Sequence, residues 1–112
     1  MNTDYVPERG DIVWLDFDPQ AGHEQAGKRP AIVISPKKYN SKVGLALFQA
    51  ITSKQKGYPF EVLLPKNLPI SGVILSDQIK SLDWKIRKIK YICTVSEKQC
   101  QEAINKFLVL LK

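Results

Sequence analysis

The chain has 112 residues and a formal net charge of +6, enough for one domain with a buried core and too little for two independent ones. The positive balance points to a polyanionic partner, either nucleic acid or an acidic protein. Two cysteines without a disulfide framework, an N-terminal MNTDYVPERGD that carries acids, and the lack of an apolar run near the ~20 residues that span a bilayer predict a cytoplasmic protein with no disulfide, signal peptide or membrane span.

Hydrophobicity alternates with period two over most of the chain. Asp11 to Asp18 places Val13, Leu15 and Phe17 on one face and Ile12 and Trp14 on the other, which predicts a strand. A polar loop from Gly22 follows, and the β-branched run Arg29 to Ser35 predicts a second strand stopped by Pro36. Further short strands are predicted at Leu45 to Thr52, Phe60 to Leu64 and Gly72 to Leu75, separated by variable loops at Lys37 to Gly44, Lys54 to Tyr58 and Pro65 to Gly72. Ile79 to Ile92 is ambiguous and leads into a last strand at Tyr91 to Val95. Only the end changes period. Ser96 with Gln99 reads as a capping box, and Ala103, Ile104, Phe107, Leu108 and Leu111 recur at helical spacing. The expected fold is mainly β, a small curled barrel of mostly antiparallel strands with a C-terminal amphipathic helix over one opening, and residues 1–112 form one domain.

The richest chemistry lies in GHEQAGKRPAIVIS, residues 22–35, where His23, Glu24, Lys28 and Arg29 share one glycine-bounded loop. Pro30 biases Arg29 towards an extended backbone at the strand entrance. One histidine and two cysteines six residues apart give no zinc-ligand spacing, and no glycine-rich segment resembles a nucleotide cradle, so neither metal nor cofactor is expected. Any catalysis then falls to side chains, from His23, Glu24, Lys28, Arg29, Thr52, Ser53, Asp77 and Lys80. Acid/base groups beside cations suit phosphoryl transfer on RNA, whose ribose 2′-hydroxyl is a built-in nucleophile.

Four segments in register, DIVWLDFDP, GHEQAGKRPAIVISP, ITSKQKGYPFEV and GVILSDQIKSLDW, resemble the MazF/PemK family of toxin endoribonucleases from Tyr5 to about Trp84, more closely on the MazF side. The resemblance implies an SH3-like barrel, a homodimer, cleavage of single-stranded RNA, chiefly mRNA, at short motifs, and an acidic antitoxin that neutralises the toxin. It assigns Glu24 as general base, Arg29 as the arginine before the proline, and Thr52 as the threonine that ends the third strand. Glu24 would deprotonate the 2′-hydroxyl, Arg29 would stabilise charge on the phosphoryl oxygens, and Arg29 or Thr52 would assist the leaving 5′-oxygen, giving a 2′,3′-cyclic phosphate and a 5′-hydroxyl. PemK-like members use a histidine, an arginine and an aspartate. His23 and Asp77 match two of these, but Leu75 stands in the arginine's place, and the role of His23 stays open.

Around this core, Asp77, Gln78 and Lys80 of SDQIKS offer base-edge and phosphate contacts, Phe17 and Tyr58 offer stacking rings, and His23, Lys28 and Lys56 offer further RNA contacts. Two other functions fit a basic barrel, namely a non-catalytic binder of single-stranded nucleic acid and a module for extended acidic peptides. Glu24 argues for the nuclease, because a pure binder gains nothing from a carboxylate that repels its strand.

Overall fold

Among the described residues, six strands pair antiparallel in one sheet of order β4-β5-β3-β2-β1-β6, so the predicted curled barrel is present as a half-barrel. The strands are β1 (Asp11–Asp16), β2 (Lys28–Val33), β3 (Leu45–Thr52), β4 (Glu61–Leu63), β5 (Val73–Asp83) and β6 (Lys90–Thr94). Helix α1 (Lys37–Val43) connects β2 to β3, and α2 (Glu97–Leu108) follows β6 and ends in a 3-10 turn at Val109–Leu111. This computed structural model describes residues 5–19 and 21–112; the first four residues of the acidic N-terminal segment lie outside that set. No helix among the described residues is long and apolar enough to cross a membrane.

Adjacent strand residues face opposite sides of a sheet, and here both sides are covered. Val13, Leu15, Phe17, Ala31, Val33, Phe48 and Trp84 build one core. Ile12, Ile32, Ile51 and Ile74 build the other with Cys100 and Ala103 of α2. The alternation read in β1 is thus realised, with Trp14 half-exposed on the outside.

Three expectations change. Residues 37–43 form a helix where a loop was expected, because Asn40, fully buried, donates from Nδ2 to the carbonyls of Pro7 and Ser35 and accepts from the Ser35 hydroxyl. Gly44, at φ 81, closes that helix by donating its N–H to the Asn40 carbonyl. The capping box at α2 is half made: Ser96 accepts from Gln99 N–H at 3.1 Å, but the Gln99 side chain donates to the Leu63 carbonyl. Finally, the strand expected to stop at Leu75 runs on to Asp83, across the polar SDQIKS segment.

That extension positions the site. Ile51 pairs with Ile74 and Gln49 with Ile79, so Leu75, Ser76, Asp77 and Gln78 stand opposite Ala50 alone. Such a bulge re-aims side chains, and here Gln78 reaches the loop between β1 and β2 while Asp77 meets Tyr58 of the β3–β4 loop.

Candidate active site

The loop between β1 and β2 is pinned at its base and at its apex. At the base, Phe17 N–H donates to the Gly27 carbonyl at 2.9 Å and Gly27 N–H to Asp18 Oδ1 at 3.0 Å. Gly27 has φ 74, a left-handed conformation that a residue with a Cβ adopts at a cost. At the apex, Gln78 Oε1 accepts from Gln25 N–H at 3.0 Å, its Nε2 donates to the His23 carbonyl at 3.3 Å, and Lys80 Nζ donates to Glu24 Oε1 at 2.7 Å. Lys80–Glu24 is the one ion pair among the described residues.

Both hydrogen bonds to Glu24 fall on Oε1, since Ala21 N–H also donates there at 3.1 Å, and Oε2 has no partner among the described residues. The Lys80 ammonium and then the Ala21 amide hold the Glu24 carboxyl below its ordinary range. An exposed carboxylate kept ionised with one free oxygen is available to accept a proton, although the lowered pKa makes it a weaker base.

Two adjoining cavities share the wall made by His23, Gln25, Asp77 and Gln78. The smaller, about 280 Å³, holds Glu24 and Lys80 against the side of Phe17. The larger, about 590 Å³, holds Arg29, Thr52, Lys54, Lys56 and Tyr58, with Glu61 and Leu75. Arg29 and Thr52 therefore meet, and Glu24 stands across the shared ridge from them.

Within the larger cavity each group is oriented. Arg29 donates from Nε to the Ala26 carbonyl at 2.8 Å, and its terminal nitrogens have no partner among the described residues, which leaves the planar end of the guanidinium for an anion. Thr52, 7% exposed, accepts Lys54 N–H on Oγ1, so its hydroxyl hydrogen remains free to donate. Tyr58 donates to Asp77 Oδ2 at 2.7 Å, and that bond, with burial, raises the phenol above its ordinary range. Asp77 Oδ1 is buried without a hydrogen-bond partner among the described residues.

Several expected contacts change on this geometry. Phe17 is 2% exposed and packed in the core, which leaves no open ring face for a base, whereas Tyr58 is half-exposed. Lys28 lies in neither cavity but beside Asp16 and Arg87 in a separate open depression, because its β2 register pairs it with Asp16. Glu24 pairs with Lys80. Gln78 spends its amide on the loop backbone. Leu75, in the position of the PemK arginine, gives the larger cavity an apolar wall.

Sequence reasoning did not single out Gln25 or Glu61. Glu61 accepts the N–H groups of Lys56 and Gly57, at 3.0 and 3.1 Å, and so shapes the cationic loop. The signal was a lone acid following KQKGYPF; Gln25, which acts through its backbone, offered none.

Residues 8–111 match the family described as PemK-like, MazF-like toxin of type II toxin-antitoxin system. The chain is 46% identical over 111 residues to the endoribonuclease toxin MazF of Escherichia coli K12, covering 99% of both. It is 34% identical to the endoribonuclease toxin ChpB of the same strain, over 94% of each chain. In three dimensions it superposes on the MazF crystal structure from Deinococcus radiodurans with TM-score 0.93 at 49% identity, covering 96% of this chain and 98% of that one. A MazE-MazF complex from the same organism gives 0.86 at 49% identity, over 96% and 97%. A matched profile over nearly the whole length, with relatives well above chance identity end to end, establishes that this chain belongs to the PemK-like, MazF-like toxins of type II toxin–antitoxin systems.

Proposed function

We propose that this endoribonuclease toxin cuts single-stranded RNA without a metal ion, by attack of a ribose 2′-hydroxyl on the adjacent phosphate. Glu24 Oε2 takes the 2′-hydroxyl proton, the free end of Arg29 stabilises charge on the phosphoryl oxygens, and the Thr52 hydroxyl or Arg29 assists the departing 5′-oxygen. The products are a 2′,3′-cyclic phosphate and a 5′-hydroxyl. The observation that carries this reading is the pair of adjoining cavities, one holding an ionised carboxylate with a free oxygen and the other Arg29, Thr52 and two lysines. An RNA strand laid over the shared ridge brings its ribose and phosphate to opposite sides of it. Lys54, Lys56 and Lys80 supply phosphate contacts, Tyr58 a stacking face, and His23 and Asp77 line both sides.

The working unit is a homodimer in the cytoplasm, held in check by an acidic antitoxin. Relatives appear in MazE-MazF complexes, and a net charge of +6 favours an acidic partner that competes with RNA for the same groove. The test is to incubate the purified toxin with a long unstructured RNA in excess chelator, map the 5′ ends and analyse the 3′ ends. Discrete cuts with cyclic-phosphate ends are expected, whereas 3′-hydroxyl ends or loss of activity on chelation would rule the mechanism out.

A further inference from the structure

The apex of the β1–β2 loop is joined to the rest of the fold by two side chains of β5, and they hold it in different ways. Lys80 holds the Glu24 side chain through an ion pair whose partners are 25% and 45% exposed, and an exposed pair of this kind is weak in water and open to competition from a phosphate. Gln78 holds the backbone. Its Oε1 accepts from Gln25 N–H and its Nε2 donates to the His23 carbonyl, so one amide brackets the peptide groups on either side of Glu24. The amide thereby completes both of these backbone groups, as a neighbouring strand would. Glu24 is also held locally, by its N–H to the Ala21 carbonyl at 3.2 Å and by Ala21 N–H to its Oε1 at 3.1 Å, but that turn contains Gly22 and is followed by Gly27, both at positive φ, and Gln78 is the side chain that ties its backbone to the sheet.

We propose that Gln78 is a positioning residue, which holds the backbone of Glu24 in place on its side of the ridge when an RNA phosphate draws Lys80 away. This rests on the reading of Glu24 as general base. The bulge in β5 is what allows it, because Gln78 lies in the segment that stands opposite Ala50 alone and turns towards the loop. A base misplaced by about 1 Å costs on the order of 10²-fold in rate, and a base-reading glutamine would instead spend its amide on the RNA.

The test compares Gln78→Met, similar in length but without the amide, with the parent toxin in three measurements: single-turnover cleavage at saturating RNA, RNA affinity by titration of a 2′-deoxy oligonucleotide, and hydrogen exchange of the Gln25 amide by NMR. The expected result is a cleavage rate about 10- to 100-fold lower, affinity within about twofold, and faster exchange at Gln25 with an unchanged melting temperature. Unchanged Gln25 exchange overturns the proposal, and so does lost affinity with an unchanged saturated rate, which would mark Gln78 as an RNA contact. The exchange arm needs no activity, so a fully active Glu24→Gln variant would sink the general-base reading while the bracket itself is still judged at Gln25. If Gln78→Met does not fold, Gln78→Asn, one methylene shorter, must give the same split.

Discussion

Gly72 lies so close to Thr52 that a Cβ on it would stand 2.2 Å from the Thr52 carbonyl oxygen. The backbone there has φ 127, a conformation that residues with side chains rarely adopt. The turn before β5 thus presses directly on the residue that ends β3 and lines the larger cavity. Gly72→Ala must shift one backbone or the other. It is expected to destabilise the fold by about 2–4 kcal/mol, read from the urea midpoint, and to slow cleavage in the fraction that stays folded. A variant as stable and as active as the parent would mean that the two backbones separate freely.

With Glu24 as the general base, Lys80 is expected to set the acid side of the pH profile. Its hydrogen bond is the first cause of the lowered Glu24 carboxyl, so the carboxylate persists to lower pH than an unpaired one. A base works only when deprotonated, so activity is retained above the folded pKa and lost as pH falls through it. Lys80→Met should therefore move the acid limb of kcat/KM to higher pH, towards the ordinary carboxylate range, besides weakening RNA binding. An acid limb that stays in place would show that another group governs it.

Asn40 tests the fold apart from the chemistry. It is fully buried, joins α1 to the Pro7 and Ser35 carbonyls, and its own carbonyl accepts from Trp84 Nε1 at 3.1 Å. Asn40→Ala removes the donor to the Pro7 and Ser35 carbonyls, while the main-chain carbonyl still accepts from Trp84, and should cost about 2–4 kcal/mol, with cleavage per folded molecule unchanged. Calorimetry and an active-site titration check both parts.

The dimer should be evident in solution. Leu63, Ile86, Val109 and Leu111 are more than half exposed on a single chain, apolar side chains that a second subunit would be expected to cover. Sedimentation at micromolar concentration should give twice the chain mass, and a monomer would contradict the dimeric working unit.

How much of this was legible in the sequence follows from whether each residue's role is local. Val13, Leu15 and Phe17 alternate with Ile12, and Ser96 caps α2, because period and capping are local properties that sequence states directly. Helix α1 was not legible, since its seven residues carry no apolar period and it is held by one buried asparagine reaching distant carbonyls. The second half of β5 was missed for a related reason: polar residues 80–81 belong to a strand because β3 pairs alongside, and residues 76–78 form the bulge between the two paired stretches. In the site, the resemblance supplied Glu24, Arg29 and Thr52, and the first of these stands across a ridge from the other two. The ionic partner of Glu24 and the backbone partners of Gln78 lie more than fifty positions away in sequence, beyond anything that spacing could suggest.

The 2′-hydroxyl mechanism is tested most directly by one atom of the substrate. Two RNA oligonucleotides spanning a mapped cleavage motif would be compared, identical except for a single 2′-deoxy nucleotide on the 5′ side of the scissile phosphate. The account predicts that the deoxy substrate binds almost as tightly as the all-ribose one and is not cut at that bond, with Glu24→Gln slowing the all-ribose reaction by roughly 10² to 10⁴. Cleavage of the deoxy substrate at the same phosphate would contradict it and require water, not the ribose, as the nucleophile.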